Sequence, residues 1–209
     1  MKLTEKTVSG LLAAFRSSDP TPGGGSASAL AGAAGASVLV MVARLPKSRA
    51  ATAEDAARLR AAADRCEALA RELEMLIDRD SDAYDLVVGA YKKARTSEDE
   101  KRARSAAIQD AMRAAIAAPL EVMRACAAAA EQGVIVATLG STSASSDVQV
   151  GLELLGGGLR GAKLNVEINL ASVKDQNYAA GIRKDVAGFE RAIAHETEAA
   201  RLALGKLEA

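Results

Sequence analysis

Pro20-Thr21-Pro22-Gly23-Gly24-Gly25-Ser26, followed at once by Ala27-Ser28-Ala29-Leu30-Ala31-Gly32-Ala33, is the stretch on which the reading of this chain turns. Two prolines pin the backbone, and three glycines then leave it without side chains. A strong helical pattern begins immediately afterwards. Such a turn leaves backbone N–H groups free at a helix N-terminus, where they can hold an anion or a polar ligand. The same residues also read as a flexible helix cap, and composition does not separate the two readings.

Outward from this stretch the chain is dominated by alanine. Its 209 residues and 21.5 kDa are the size of one domain, taken as residues 1–209. There is no Trp, with 2 Phe and 3 Tyr. Alanine favours helix but buries little area. Helices that meet through Ala and Gly must therefore approach closely, and an oligomer would add burial. The 27 basic and 27 acidic residues balance, so no basic excess attracts nucleic acid or an acidic membrane. Cys66 and Cys126 lie in helical patterns without zinc-ligand spacing and read as buried thiols, not a disulfide. No signal-peptide pattern precedes the first helix. The apolar run Ala27 to Leu45 carries serines and small residues and reads as a buried helix, not a membrane span. A cytoplasmic location is the expectation.

Periodicity predicts helices throughout. Thr4 to Phe15 spaces Val8, Leu11, Leu12 and Phe15 helically. Leu30, Ala34, Val38, Met41 and Leu45 mark one face of a second helix, ended or bent by Pro46. Ala50 to Glu54 connects to a long pattern from about Asp55 to Lys92, with a break possible at Asp78 to Asp82. Its apolar side is Leu59, Ala62, Cys66, Leu69, Leu73, Leu76 and Ile77. Thr96 or Ser97 is a cap candidate for the next helix, whose buried stripe is Ile108, Met112, Ile116, Leu120 and Met123. Pro119 is expected to kink it. Gly133 is read as its end, with Val134 to Leu139 a helical continuation or connector. Thr138 to Ser146 is a polar turn. Helical spacing resumes over Asp147 to Leu155, is interrupted at Gly156 to Gly158, and gives way to an ambiguous alternation over Leu159 to Leu170. A last helix spans about Val173 to Leu207. The expected architecture is all-α, an antiparallel bundle of long, kinked helices.

Motifs for common chemistries are absent. The glycine segment lacks the Gly-Lys-Ser or Gly-Lys-Thr of a Walker loop, and its consecutive glycines follow a helix, unlike a dinucleotide fingerprint. The only histidine, His195, sits in a charged helix and reads as a surface residue. No metal site is expected. Asp78, Asp80, Asp82 and Asp85 form an acidic cluster in which Asp78, Asp82 and Asp85 share one helix side at spacings of four and three, either a solvated acidic face or carboxylates at the edge of a pocket. Asp147 is a helix-cap candidate. Asn165 and Asn169 share a side among apolar neighbours, and a half-buried amide there needs partners.

Taken together, Leu11-Leu12-Ala13-Ala14-Phe15, the Pro20 to Ala29 motif, Asp82-Ala83-Tyr84, Ala90-Tyr91-Lys92, Ala118-Pro119-Leu120, Ser146-Asp147 and Gly161 to Leu170 resemble the cyclodeaminase/cyclohydrolase family of folate enzymes. The resemblance implies an all-helical homodimer that binds a folate at or near the subunit interface. It also argues for helix over Asn165 to Leu170. Family members either release ammonia from 5-formiminotetrahydrofolate, or reversibly hydrolyse 5,10-methenyltetrahydrofolate to 10-formyltetrahydrofolate. A chain without a formiminotransferase domain favours the methenyltetrahydrofolate cyclohydrolase. The cyclodeaminase is the enzymatic alternative, and a noncatalytic helical scaffold protein is the alternative of another class.

The resemblance implies a folate small-molecule partner and no cofactor beyond the tetrahydrofolate substrate. Hydrolysis needs a group that accepts a proton from water and returns one to the departing nitrogen. Asp82 is the first candidate, Asp147 the second, and Lys92 a candidate for proton transfer. Pro22, Gly23, Gly24, Gly25 and Ser26 are expected to shape the pocket. Lys47 and Lys163 are candidates for the glutamate tail, with Asn165 and Asn169 as further substrate contacts.

Overall fold

The computed structural model describes residues 2–205. Six helices form: α1 (Val8–Phe15), α2 (Gly24–Ala43), α3 (Ala53–Tyr91), α4 (Glu98–Leu139), α5 (Ser145–Leu170) and α6 (Gln176–Gly205). Short 3-10 turns cover Leu3–Glu5 and Thr142–Ala144, and no strand occurs among the described residues. The expected end of the last helix at Leu207 lies outside them.

Local chemistry sets most boundaries. The Thr7, Thr52 and Ser97 hydroxyls accept from N–H groups in the first turns of α1, α3 and α4, and Glu100 completes a capping box with Ser97. The first expected helix therefore divides at Thr7. α3 runs unbroken through Asp78 to Asp82. Its expected apolar side is buried, and Leu69, Leu73 and Cys66 are wholly enclosed. Both cysteines are free and buried.

The helices pack as an antiparallel bundle. α2 lies between α3 and α5, while α4 packs against α2, α3, α5 and α6. Arg44 pairs with Glu67, and Ser26 meets Ile77 and Asp80, which sets α2 antiparallel to α3. Apolar windows of α2 and α4 are long enough to cross a membrane, but half or more of each is buried in the bundle.

The buried face of α2 is not the one its larger residues mark. Ala34 and Met41 are exposed, and Gly25, Ser28, Ala29, Gly32, Gly35, Ala36 and Leu39 turn inward. The cause is backbone proximity. A Cβ on Gly35 would lie 2.6 Å from the Gly151 carbonyl oxygen, and one on Gly158 would lie 2.8 Å from that of Ser28 and 3.0 Å from Gly32 N. Close contact with α2 therefore accounts for Gly158, and α5 continues straight through Gly156 to Gly158. Gly133 likewise lies inside α4, where a Cβ would meet Leu152, so the helix continues to Leu139. The alternation over Leu159 to Leu170 is helical.

Pro119 also lies inside α4. It has no N–H to give the carbonyl one turn back, that of Ala115. Asn169 of α5 supplies the missing donor, its Nδ2 lying 2.9 Å from Ala115 O. This ties the last turns of α5 to the middle of α4.

Urea unfolding of three variants tests these contacts. Gly158→Ala is expected to destabilise by about 2 kcal/mol through overpacking. Gly157→Ala, with nothing near its Cβ, is expected to stabilise by about 0.5–1 kcal/mol through helix propensity. Asn169→Ala is expected to cost about 1–2 kcal/mol in wild type and much less alongside Pro119→Ala, which restores the N–H. Equal costs in both backgrounds would show that Asn169 does not serve the Ala115 carbonyl.

Candidate functional site

The N-terminus of α2 is held between α3 and α5. Gly23 is its extended N-cap residue, reached through a cis Thr21–Pro22 peptide. Ala27 N bonds to Gly23 O, and Ser26 N donates to Asp80 Oδ2 at 3.0 Å. The N–H groups of Gly24 and Gly25 make no hydrogen bond to another described residue. Ser26, wholly buried, donates its hydroxyl to Ile77 O at 2.7 Å and lies 3.4 Å from Asp80 Oδ2. A Cβ on Gly25 would overlap the Asp80 carboxylate. Gly25 is thus required so that this carboxylate can rest on the helix end.

α5 closes the other side. A Cβ on Gly24 would lie 3.4 Å from Asn165 Nδ2. Asn165 donates to Gly161 O of its own helix at 3.0 Å. Ser28 donates to Gly24 O at 2.7 Å, and a Cβ on Gly161 would overlap its hydroxyl. Two free N–H groups, one carboxylate and one amide oxygen therefore converge at a single helix end.

Of the residues nominated from sequence, the structure brings together Pro22, Gly23, Gly24, Gly25, Ser26 and Asn165. Asp82 is exposed. It follows Asp80 by two positions, about 200° around α3, and so points away from the glycine turn of its own protomer. Lys92 is exposed just past the end of α3. Asp147 sits in the first turn of α5 and Lys47 in the loop after α2. Both belong to the opposite end of the α2–α5 pair, roughly 27 Å from Asn165 along α5. Lys163 is engaged by Glu190 of α6 at 2.8 Å, and the Asn169 amide is committed to α4. His195 is exposed beside Glu196.

Asp80, noted in the sequence as part of the acidic cluster, was not among the residues nominated for the site. Spacing grouped Asp78, Asp82 and Asp85, leaving Asp80 on another side. Asp78 anchors the N-terminal segment, accepting from Leu3 N at 2.5 Å and the Thr4 hydroxyl at 2.8 Å. Burial pushes the Asp80 carboxyl above its ordinary value, while the two hydrogen bonds from Ser26 oppose the shift. Among the described residues, no group of three His, Cys, Asp or Glu side chains is placed to hold a metal ion.

Residues 7–188 match the family model described as formiminotransferase-cyclodeaminase. The chain is 36% identical to methenyltetrahydrofolate cyclohydrolase of Methylorubrum extorquens, over 88% of each protein. It is 30% identical to formimidoyltransferase-cyclodeaminase of Sus scrofa over 90% of this chain but 34% of that longer protein. The fold superposes on the crystal structure of formiminotetrahydrofolate cyclodeaminase from Thermotoga maritima with a TM-score of 0.87, covering all of both chains at 22% identity.

The Asp80 environment has a pH signature. A carboxyl whose pKa is raised by folding favours the folded state most when protonated, and that contribution is lost as pH rises through the raised value. The melting temperature of wild type minus that of Asp80→Asn is therefore expected to increase as pH falls from about 7 to about 4. A difference constant with pH would show that burial does not perturb Asp80.

Proposed function

The chain belongs to the formiminotransferase-cyclodeaminase family, and from that premise we propose that it is a methenyltetrahydrofolate cyclohydrolase, reversibly converting 5,10-methenyltetrahydrofolate to 10-formyltetrahydrofolate. The observation that carries this reading is the identity with the Methylorubrum extorquens cyclohydrolase over nearly the whole of both chains. The geometry at the start of α2 fits the chemistry.

The methenyl bridge is a delocalised cation between N5 and N10. The Asp80 carboxylate favours a cation beside it and accepts a proton from the water that attacks the bridge carbon. The carbinolamine hydroxyl oxygen then faces the Gly24 and Gly25 N–H groups, which stabilise charge developing on it. The C–N5 bond breaks as N5 gains a proton, and the hydroxyl proton leaves to form the formyl group on N10. One proton is released overall. A carboxyl with a raised pKa suits both halves of this transfer. Asn165 offers its side-chain oxygen to a pterin N–H.

In this proposal Asp80 takes the role for which Asp82 was the first candidate under the resemblance. The reading includes a homodimer. Its support is the outer face of α2. Leu30, Ala33, Ala34 and Val40 there line a groove of about 490 Å³ with Val8 and Leu11 of α1. Val8 and Met41 are exposed, and Lys6, Arg44, Glu67, Arg71 and Glu74 also line the groove, a mixed surface with exposed apolar residues of the kind that interfaces cover. The enzyme is read as cytoplasmic, acting on free folate.

Loss of the near-ultraviolet absorbance of 5,10-methenyltetrahydrofolate tests the reaction directly. Enzyme-dependent loss is expected. Asp80→Asn is expected to lower kcat by at least 100-fold and to remove the acid limb of the pH–rate profile, with a smaller effect from Asp82→Asn. The reverse order would return the role to Asp82. Turnover of 5-formiminotetrahydrofolate with ammonia release, and none of the methenyl compound, would establish the cyclodeaminase, which the Sus scrofa relative favours. Absence of folate binding would leave a noncatalytic helical protein.

A further inference from the structure

Among the described residues, the buried polar side chains are those of Ser26, Ser28 and Ser141. Ser26 meets Asp80, and Ser141 pairs with Ser143 in the turn before α5. Ser28, in the second turn of α2, has no part in the chemistry above. Its hydroxyl donates to Gly24 O at 2.7 Å. The helical ladder assigns the same carbonyl to the Ser28 N–H, so Gly24 O accepts twice.

Two exposed hydroxyls make the same bond one turn back, Ser37 to Ala33 O and Thr138 to Val134 O, each at 2.7 Å. Those two have water as an alternative partner, whereas Ser28 is enclosed and α5 makes room for it. A Cβ on Gly161 would lie 2.4 Å from Ser28 Oγ but 3.4 Å from Ser28 Cβ. Alanine at both positions would therefore meet in ordinary contact, and alanine is the better helix former at each. The fold forgoes both alanines and seats one hydroxyl.

The group that this hydroxyl reaches leads into the site. Gly24 O belongs to the same planar peptide as the Gly25 N–H, one of the two N–H groups left free at the start of α2. In a trans peptide the C=O and N–H point in opposite directions, so holding the carbonyl inward aims the N–H out of the helix end. This peptide lies between two glycines, whose torsions no side chain restrains. A second hydrogen bond on the carbonyl also polarises the peptide and makes its N–H a stronger donor.

We propose that Ser28 is a positioning residue for the reaction. Through the Gly24–Gly25 peptide it aims and polarises the Gly25 N–H toward the oxygen on which charge develops after water adds to the methenyl carbon. The assignment rests on the folate reading above. Ser28 touches no reacting atom and keeps its own proton throughout. Its effect grows with the charge on that oxygen, so it acts on kcat and leaves KM nearly constant.

Ser28→Ala alone opens a void beside Gly161, so the test pairs it with Ser28→Ala/Gly161→Ala, in which the added methyl takes the space of the hydroxyl. With 5,10-methenyltetrahydrofolate, both variants are expected to lose kcat about tenfold with KM within about twofold of wild type. The double variant is expected to recover the melting temperature that Ser28→Ala loses. A kcat that returns along with the melting temperature would make Ser28 a packing residue only and overturn the proposal, as would a raised KM at unchanged kcat. The nitrogen-15 signal of Gly25, read without folate in glycine-labelled protein, reports hydrogen bonding at the Gly24 carbonyl. It is expected to move upfield in both variants while that of Gly181, with nothing near its Cβ position, stays in place. An unmoved Gly25 signal would overturn the proposal whatever the turnover. A moved signal in a protein that turns over neither the methenyl nor the formimino folate would leave the hold of Ser28 on the peptide standing and place the failure in the folate reading.

Discussion

The candidate site depends on how closely the backbone of α2 lies against that of α5. Gly35 faces Gly151, Gly32 and Ser28 face Gly158, and Ser28 faces Gly161. These contacts descend along both helices to Gly24 and Asn165. At such separations the interacting surfaces are carbonyl oxygens, amide nitrogens and Cα atoms, with few side-chain torsions between them. A methyl group at Gly35 or Gly158 would have backbone in its way, so relief would require the helices to part. Parting them would also move the start of α2 away from Asn165. The glycines that look like breaks in α5 are therefore what hold the site together.

Asp80 shows two physical effects opposed at one atom pair. The N-terminus of α2 attracts an anion through its unpaired N–H groups and its dipole, and the Ser26 N–H donates to the carboxylate with the Ser26 hydroxyl close by. These effects favour the charged carboxylate. Removal from water favours the neutral acid, and this effect prevails, since the group's pKa lies above its ordinary value. The same carboxylate caps α2 from another helix, and so serves the fold whatever its chemistry. Residual basicity is the property that distinguishes it from an ordinary cap. A carboxylate fully stabilised by hydrogen bonds would be a poor proton acceptor.

Helix content, a cap at Thr96 or Ser97 and the inward side of α3 were all legible in the sequence. What was not legible follows from one blind spot. Hydropathy marks large side chains, but α2 buries its glycines, serines and alanines and turns Ala34 and Met41 outward. The same reasoning took Gly133 and Gly156 to Gly158 as punctuation, because a glycine whose missing Cβ admits another helix looks locally like one that ends its own. Spacing along α3 gathered three of the four clustered aspartates on one side and left Asp80 on another, because its meaning comes from Gly25 in a different helix. Asn169, a substrate-contact candidate from the resemblance, reads locally as an amide in need of structural hydrogen bonds, and its partner is the Ala115 carbonyl that Pro119, far away in sequence, leaves without a donor.

That last pair explains how so small-featured a core can hold a defined site. Pro119 removes a hydrogen bond from the middle of α4, and Asn169 restores it from α5, so the two helices are fixed in register by a bond that neither could make alone. Gln109 repeats the arrangement one step further on, bonding to Ser172 and Lys174 beyond the end of α5. Between these ties and the backbone contacts with α2, α5 is held on both sides of Asn165. Side chains as short as Ala and Gly bring little rotamer freedom into such contacts. Positions at the helix ends are then set by backbone geometry rather than by a choice among side-chain packings. A site made of N–H groups at one helix end, a carboxylate from a second helix and an amide from a third tolerates little displacement of any of them. A core of small residues, pinned by a few long-range polar bonds, meets that requirement by leaving the helices few alternative ways to pack.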